Sequence, residues 1–543
     1  MNVLGVHFGH DACAALIADG RIAADAQEER FNRVKHSSDA PLSSMHYCLD
    51  AACLDMADID IVAFSGQRRH RDYPLAFGNE VSSPDLPTYL KRFVPPQATR
   101  LVDLDHHYCH AAAAYFLSCD SGPALTLVSD GFGDDSAISV WRGEGSTLTL
   151  LAKYGGEGSL GWFYSNVTEA LGWVHGDGEG KTMALASGGN PFKAHSTLRP
   201  FCPAYSNGEL ATPREYGTVH KLVLQGSIQW HLRDSHAIKG LLGTCSGPDL
   251  AAAAQALLEE EHIGLARHWL KEQGLSRLCL GGGVFLNIIL NRRLADLPEC
   301  DSLFVFPNPG DSGLALGAAL AALAEAAPSE LPRRLESIYL GPEFSREEIG
   351  RSLRDMKLSF TEMDEEALVD AVAEEMSLGR CVGWFQGRME CGPRALGCRS
   401  ILMSTARPEY KDYINSAVKF REPFRPFCPS LLAEDRDRYL VEKEPAPYMI
   451  LAFTAPEAVR SEIPAVVHVD GTIRPQVVER FVNPRFHRLL SAFRERTGHG
   501  ILLDTSFNIK GEPIVCTPAD AVRCFFSTGM DVLAIGNFLL RKS

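Results

Sequence analysis

Four ionisable side chains from three separate segments could form a metal centre. His106 and His110 lie in the run DHHYCH, Asp130 lies in SDGFGDD, and Asp311 lies in NPGDSG. Two imidazoles with one or two carboxylates make a ligand set that suits Fe(II), Mn(II) or Zn(II). If the three segments converge in the fold, they would form the centre at which the chemistry takes place.

The spacing of the two histidines supports this hypothesis. Residues four apart lie on one face of a helix, so His106 and His110 would point the same way. An HxxxH pair alone is a frequent coincidence, and a single aspartate at a turn more often caps or shapes the turn. The hypothesis therefore depends on all four side chains meeting.

The elements that must position these residues follow a repeated pattern. Residues 3 to 30 predict two strands joined by the turn FGHDA, with a third strand after Gly20. The same order recurs near residue 125, where ALTLVSD and SAISVWRG flank the turn GFGDD. In sugar kinases, actin and heat-shock ATPases, paired hairpins of this kind hold nucleotide phosphates. The repeat predicts two similar lobes.

Three further segments offer groups for binding or catalysis. His10, in the first turn, is a candidate general base, and the alternative is a turn histidine that hydrogen-bonds the backbone. Lys35 is either an anion contact or a surface lysine. The run 278–294 predicts a strand, a glycine turn and a helix, in which Gly282 and Gly283 would let a ligand approach the helix N-terminus. The alternative is a tight turn that only packs the strand against the helix. Asn287 of the same motif is a further cofactor-binding candidate.

A basic segment stands out late in an acidic chain. The net charge is −15 overall, yet residues 380–425 hold nine Lys or Arg against four acidic residues. A solvated basic face is the usual explanation for such a run. Here the bases alternate with Gly, Pro and Phe, in ECGPRALGCRS and KFREPFRPFCPS. This pattern favours a pocket for anionic ligands, in which Arg can form bidentate contacts with phosphate.

Composition limits the class of protein. A chain of 543 residues predicts two to four structural units, and 45% apolar residues allow each a core. The acidic balance disfavours nucleic acid as the main partner. Fifteen cysteines without a CxxC pair indicate reduced thiols. No apolar run is long enough to span a bilayer, and we expect a cytoplasmic protein without a membrane partner.

Nine motifs, in order from residue 3 to about 520, resemble the O-carbamoyltransferases of antibiotic and nodulation-factor biosynthesis. The resemblance covers nearly the whole chain. The motifs are GVHFGHDACAALI, DHHYCHAAAAYF, GEGKTMALA, GGGVFLN, PGDSGLALGAA, CGPRALGCRSIL, KFREPFRPF, HVDGTIRPQ and LDTSFNIKGEPIV.

The resemblance implies an α/β protein of two domains. Residues 1–340 would form an actin-like (ASKHA) two-lobed carbamoyl-transfer domain with the metal site. Residues 341–543 would form a YrdC-like α/β domain that makes carbamoyl adenylate from carbamoyl phosphate and ATP, with Mg(II) accompanying the ATP. The carbamoyl group would then pass to a hydroxyl of a small natural product. The implied metal is Fe(II), with another divalent ion left open.

The resemblance also assigns site residues. It places His106, His110, Asp130 and Asp311 at the metal positions, and His10 where the family needs a residue for transfer. In the second domain, four residues match the pocket for carbamoyl phosphate and ATP: Lys419, Arg425, Arg474 and Ser506. Two more binding candidates, Arg394 and Asn508, lie close by. Together with His10, we take Lys35 and Arg425 as the catalytic candidates.

Two other functions remain as alternatives. One is an RNA-modifying threonylcarbamoyl-type enzyme, which the acidic balance disfavours. The other is a non-enzymatic actin-like nucleotide-binding protein, which would leave the basic segment without a role. The expected partner is a small hydroxyl-bearing molecule, and a homodimer is left open. Acceptor specificity is expected from loops such as 66–98 and 195–245.

Overall fold

The computed structural model describes residues 1–65, 100–118, 122–214, 218–224 and 227–542. The chain forms two compact units. The first consists of Met1–Glu28 with Ser38–Glu336, and the second of Glu29–Ser37 with Ser337–Ser543. The predicted specificity loop 66–98 lies outside the described residues.

The first lobe of the first unit is a sheet of five described strands in the order β3-β2-β1-β4-β5. β1 runs antiparallel to β2 and parallel to β4, β2 is antiparallel to β3, and β4 is parallel to β5. The central strand β1 is buried along its whole length, as its apolar sequence VLGVH requires. The strands are β1 Val3–His7, β2 Cys13–Ala18, β3 Arg21–Gln27, β4 Ile61–Ser65 and β5 Arg100–Leu104.

The second lobe repeats this topology. Its sheet has the order β14-β13-β6-β7-β8, with β6 antiparallel to β7 and parallel to β13, as β1 is to its own neighbours. Its strands, with the intervening β9 to β12, are β6 Ala124–Gly133, β7 Ser136–Glu144, β8 Thr147–Tyr154, β9 Ala204–Ser206, β10 Glu209–Thr212, β11 Thr218–Leu224, β12 Ser227–Leu232, β13 Arg277–Gly281 and β14 Ser302–Val305. The repeated strand order confirms the predicted pair of similar lobes and the α/β, actin-like class of this unit.

Helices flank the two sheets. The apolar helix Leu314–Ala326 packs on β1, β2 and β4 and against the helix His106–Phe116. The long helix Gly247–Gln273 begins at the N-cap Ser246 and ends at Gly274, whose φ of 61° suits a glycine C-cap. The other helices among the described residues of this unit are Leu42–Ala52, Leu160–Ala170, Glu179–Ala186, His195–Leu198, Ser235–Gly240 and Ile288–Ala295.

The second unit is built on a mixed sheet of eight described strands in the order β15-β24-β23-β16-β17-β22-β18-β21. Helices Glu365–Ser377 and Pro484–Thr497 supply side chains to its hydrophobic core, where Trp384 and Phe486 are fully buried. The strands, with the separate pair β19 and β20, are β15 Thr361–Glu362, β16 Val382–Phe385, β17 Arg399–Ser404, β18 Cys428–Leu432, β19 Phe453–Thr454, β20 Thr472–Ile473, β21 Gln476–Val478, β22 Ile501–Ser506, β23 Val532–Ile535 and β24 Phe538–Arg541. The remaining helices are Arg346–Asp355, Pro408–Tyr413, Arg436–Tyr439, Glu457–Arg460 and Pro518–Phe526.

The second unit includes residues from near the start of the sequence. The short helix Glu29–Asn32 lies in it, and Arg30 donates to the carbonyl of Gly392 at 2.9 Å. Arg33 donates to the carbonyls of Pro513 and Ile514, both at 2.7 Å. These bonds fix Lys35 in the second unit. The predicted boundary at residue 340 and the YrdC-like character of the C-terminal domain stay predictions.

Within the described part of the chain, no helix combines the length and the apolar character that crossing a bilayer requires.

Candidate functional site

The four predicted metal ligands meet in the first unit and form a cluster that we call the His–Asp cluster. One ligand atom from each of His106, His110, Asp130 and Asp311 lies within 4.8 Å of all the others. The two Nε2 atoms are 3.2 Å apart, and they lie 3.4 and 3.3 Å from Asp130 Oδ2. Asp311 Oδ1 lies 3.5 Å from His106 and 3.6 Å from His110. The structure thus brings together three distant segments.

Each ligand is positioned by its local structure. The helix His106–Phe116 begins at Asp105, whose carboxylate accepts from the backbone N–H of Tyr108 at 2.9 Å. Asp130 lies where the pairing of β6 with β7 shifts register, between Ser129 and Gly133. A bulge of this kind frees a side chain from the regular alternation of a strand. Asp311 opens a short 3-10 turn immediately before the helix Leu314–Ala326.

Two glycines leave room for the cluster. A Cβ on Gly133 would overlap the imidazole of His106, so a larger residue would displace that ring. Gly282 has a φ of 100° and lies against the carbonyl of Ser129, next to Asp130. A glycine is therefore required there by both the backbone angle and the lack of space.

The distances within the His–Asp cluster fit a bound cation. Atoms bonded at about 2.1 Å to one tetrahedral ion lie about 3.4 Å apart, close to the 3.2–3.6 Å separations observed. With ionised aspartates and neutral imidazoles the cluster would carry two negative charges in a largely buried place. Imidazole nitrogen and carboxylate oxygen are donors that Fe(II), Mn(II) and Zn(II) all accept.

The charges of the cluster stabilise one another. Burial opposes ionisation of His106, but Asp311 and Asp130 outweigh it and raise its pKa well above the usual value. Burial and Asp311 oppose ionisation of Asp130, yet His106 and His110 lower its pKa to about 2. The pKa of Asp311 is likewise lowered, against its burial, mainly by His106. Both carboxylates are therefore ionised and available to a cation.

Two more histidines lie near the His–Asp cluster. His7 Nε2 lies 4.0 Å from Asp311 Oδ2, and His7 Nδ1 lies 3.1 Å from the hydroxyl of Ser65. Burial lowers the pKa of His7 to about 4, so this ring is neutral. His107 turns away and bonds Ser139 through Nδ1 at 2.9 Å. Sequence reasoning missed His7, although its position beside the FGHDA turn was a usable signal.

His10, the predicted general base, lies close to this centre. Its carbonyl is 3.1 Å from His7 Nε2, which connects the first turn with the His–Asp cluster. Its ring is about half exposed, and Nδ1 lies 2.9 Å from Asp11 Oδ2. An imidazole held by a carboxylate keeps one tautomer and one orientation. Its predicted role as a base stays a prediction.

The predicted glycine turn follows β13. Gly282 and Gly283 lead into the helix Ile288–Ala295, whose N-cap is Asn287. The Asn287 side chain accepts from Leu290 N–H and exchanges two hydrogen bonds with Gln255, at 2.8 and 3.1 Å. The structure thus gives Asn287 a capping role, and its predicted contact with a cofactor stays a prediction.

The second unit contains a group of cations that we call the cation cluster: Arg394, Lys419, Arg421, Arg425 and Arg474. Burial, Arg474 and Arg425 lower the pKa of Arg394 to about 9. Burial, Arg425 and Arg474 do the same to Arg421. Cations that depress one another's pKa values are close together and not fully neutralised. Such a group is suited to bind anions.

Lys419 is the most buried member of the cation cluster. Its Nζ donates to the carbonyls of Ser506 and Asn508 at 2.8 and 2.9 Å, and to their side-chain oxygens at 3.2 and 2.5 Å. Ser506 Oγ also donates to Asn508 Oδ1 at 2.7 Å. Burial, Arg421 and Arg425 lower the pKa of Lys419 well below the usual value. Of the predicted binding residues, these three form one hydrogen-bonded group.

Arg474 and Arg421 are held by neighbouring side chains. Both Nε and a terminal nitrogen of Arg474 point at Cys428 Sγ, at 2.9 and 2.7 Å. Arg421 donates to Asn415 Oδ1 at 2.7 Å and stacks over the ring of Phe427 at 4.1 Å. Arg421 was not among the predicted site residues, although it lies in the basic segment. Net charge alone could not distinguish it from the exposed bases nearby.

Lys35 joins the second unit through the segment 29–37. Its charge is one of the causes that lower the pKa of Lys419, so it lies within electrostatic reach of the cation cluster. The prediction of an anion contact at Lys35 is compatible with that place. Its catalytic role stays a prediction.

Comparison with known proteins assigns the chain to a family. Residues 2–104 and 88–320 match the model described as "Carbamoyltransferase N-terminus", and residues 373–542 match "Carbamoyltransferase C-terminus". The Nodulation protein NolNO of Sinorhizobium fredii is 35% identical over 98% of this chain and 79% of its own length. The 3'-hydroxymethylcephem-O-carbamoyltransferase of Streptomyces clavuligerus is 29% identical over 96% of each chain.

Solved structures give a much weaker likeness. Full-length HypF, in a form with bound phosphate and nucleotide, is 12% identical over 61% of this chain and 56% of that chain, with a TM-score of 0.33. No conclusion depends on that likeness. The two family models together span most of the chain. The chain therefore belongs to the O-carbamoyltransferase family and is an enzyme that transfers carbamoyl groups.

Proposed function

We propose that this enzyme is an ATP-dependent O-carbamoyltransferase that forms carbamoyl adenylate in its second unit. The observation that carries the proposal is the cation cluster, in which burial and neighbouring like charges lower the pKa values of the partly exposed Arg394 and Arg421 to about 9. Carbamoyl phosphate and ATP are both anions, so their binding would relieve the repulsion among the cations. The cations would in turn hold the two substrates together despite the repulsion between them. The carbamoyl group would then pass to a hydroxyl of a small natural product at the His–Asp cluster.

The first step consumes carbamoyl phosphate, water and ATP. Water cleaves carbamoyl phosphate to carbamate and inorganic phosphate. A carbamate oxygen then attacks the α-phosphorus of ATP, which enters with Mg(II), and pyrophosphate leaves. Arg394, Arg425 and Arg474 would hold phosphate oxygens through their guanidinium groups. Lys419, fixed by the side chains of Ser506 and Asn508, would supply a further positive charge.

In the second step, the acceptor hydroxyl attacks the carbamoyl carbon and AMP leaves. His10 would take the hydroxyl proton, since its ring is half exposed and oriented by Asp11. A divalent ion bound by the His–Asp cluster would supply Lewis-acid polarisation of the carbamoyl carbonyl or the adenylate phosphate. By family resemblance the ion is Fe(II), and the donor set also accepts other divalent metals.

Release of pyrophosphate tests this proposal. Purified full-length protein is incubated with ATP, Mg(II) and carbamoyl phosphate, and both inorganic products are measured. We expect one pyrophosphate and one phosphate for each carbamoyl phosphate consumed. Pyrophosphate release with bicarbonate and threonine, but none with carbamoyl phosphate, would instead indicate a threonylcarbamoyl-type enzyme. Release with neither set of substrates would contradict adenylate formation.

A further inference from the structure

The carbamoyl group presents a hydrogen-bonding need that the cation cluster does not meet. Its NH₂ group donates two hydrogens, whereas arginine and lysine side chains are donors only. The amide oxygen of Asn508 already accepts from Lys419 and Ser506, at 2.5 and 2.7 Å. A pocket that recognises the carbamoyl group therefore needs another acceptor.

His468 offers such an acceptor beside the cluster. Its Nε2 is buried, and no described residue forms a hydrogen bond with it. His468 N–H donates to the carbonyl of Thr472 at 2.9 Å, and Gly471 N–H donates to the carbonyl of His468 at 3.0 Å. This closed turn leads through β20 to Arg474. Arg474 lowers the pKa of His468, so the imidazole lies within electrostatic reach of the cation cluster.

The surroundings keep the His468 ring neutral. Burial lowers its pKa to about 4; Asp470 opposes this shift, and Arg474 and Lys411 add to it. A neutral imidazole has one nitrogen that accepts a hydrogen bond. A buried nitrogen without a partner destabilises the folded protein, and a ligand donor would remove that cost.

We propose that His468 Nε2 accepts a hydrogen bond from the carbamoyl NH₂ and thereby selects carbamoyl phosphate over acyl phosphates of the same size. The inference depends on the proposed function, because it assumes that carbamoyl phosphate occupies the cation cluster. His468 takes no part in bond making or breaking. His468 contributes specificity. The cations alone cannot provide it, because they bind the phosphate group whatever is attached to that group.

Another buried polar atom of this unit, an oxygen of Asp504, is a weaker candidate. Asp504 Oδ1 is also buried without a partner among the described residues. However, Asp504 is only 1% exposed and belongs to an interior group in which the fully buried Ser430 donates to its other oxygen at 2.7 Å. His468, by contrast, is only partly buried as a residue. The position of His468 therefore favours contact with a ligand.

Acetyl phosphate provides the discriminating probe, because it carries a methyl group where carbamoyl phosphate carries NH₂. Pyrophosphate release is measured for the wild type, His468→Leu and His468→Gln, at saturating ATP and Mg(II). The kcat/KM for carbamoyl phosphate and the inhibition constant of acetyl phosphate are determined for each. His499→Leu is the matched control, since His499 lies near Glu462, at 3.6 Å, rather than in the cation cluster.

We expect His468→Leu to lower kcat/KM for carbamoyl phosphate roughly 10- to 100-fold, while the inhibition constant of acetyl phosphate stays within about twofold. His468→Gln should recover part of the loss, because its amide oxygen can accept. Equal weakening of both phosphates, or no weakening of either, would overturn the inference. Wild-type protein without carbamoyl phosphate-dependent pyrophosphate release would overturn the proposed function, and this inference with it.

Discussion

The His–Asp cluster and the cation cluster concentrate charge in opposite ways. In the His–Asp cluster, groups of opposite sign face one another, so the pKa of His106 rises and that of Asp311 falls. In the cation cluster, burial and neighbouring groups of the same sign lower the pKa values of Arg394 and Arg421 to about 9. Both clusters combine burial with several ionisable side chains.

This difference indicates what each site lacks. The His–Asp cluster stabilises itself as long as protons or a cation balance its carboxylates, and it would hold a metal in their place. In the cation cluster, Glu422 lies 3.9 Å from Arg425 and offsets only part of the positive charge, so the cluster becomes more favourable when an anion binds. Removing one member should therefore harm the first cluster and relieve the second. The substitutions of His110 and Arg474 test this contrast, and a third substitution, of Asp504, tests a buried carboxyl that belongs to neither cluster.

The largest effect is expected for His110→Ala. Losing one of four ligands should lower the metal content, measured by mass spectrometry of the purified protein, from about one ion per chain to below about 0.1. The melting temperature should fall, because the carboxylates lose a partner. Pyrophosphate release with carbamoyl phosphate should continue, because that step belongs to the second unit.

His107→Gln is the matched control for that substitution. His107 lies on the same helix, but its ring bonds Ser139 outside the His–Asp cluster. We expect this variant to retain its metal. Loss of metal from both variants alike would mean that the helix as a whole, rather than the ligand set, is required.

A smaller effect on catalysis, and the opposite effect on stability, is expected for Arg474→Ala. We expect kcat/KM for carbamoyl phosphate to fall roughly 100-fold, because a guanidinium that faces the substrate is lost. Without ligand, however, the variant should melt at the same or a higher temperature than the wild type, because repulsion among the remaining cations decreases. Inorganic phosphate should raise the melting temperature of the wild type more than that of the variant.

Arg438→Ala controls for the loss of an arginine from the same unit. Arg438 pairs with Glu462 at 2.6 Å and lies outside the cation cluster. Pyrophosphate release should be unchanged in this variant. A marked loss of stability in ligand-free Arg474→Ala would contradict the idea that the cluster is strained by like charge.

The smallest effect concerns Asp504, which lies opposite Cys428 in the pairing of β18 with β22. Burial raises the pKa of Asp504 to about 8, whereas an unfolded carboxyl titrates near 4. The folded state thus favours the protonated form, and the stability gained from it is present below about pH 4 and lost as pH rises toward 8.

Asp504→Asn removes this titration. Between pH 4 and 8 the wild type should lose stability relative to the variant, measured as a fall in melting temperature with rising pH that the variant does not show. The exposed substitution Asp355→Asn should show no such difference. Parallel pH profiles for wild type and Asp504→Asn would mean that Asp504 is already ionised in the folded protein.

Local patterns predicted much of the fold. The strand, turn and strand order was confirmed at β1 and β2 and again at β6 and β7, because alternating apolar runs and Gly–Asp turns act over a few residues. The HxxxH spacing placed His106 and His110 on one helix for the same reason. The ordered motifs gave the family, which the comparisons confirmed.

The sequence by itself determined the elements, the family and the residue types able to do chemistry. Only the tertiary structure decided which of them meet: Asp130 and Asp311 reach the two histidines, and Lys35 joins the second unit. It also added His7, Arg421 and His468, whose surroundings come from other segments. The physical reason is that spacing along the chain governs neighbours within one helix or hairpin, whereas these contacts depend on how strands and helices from distant parts of the chain pack.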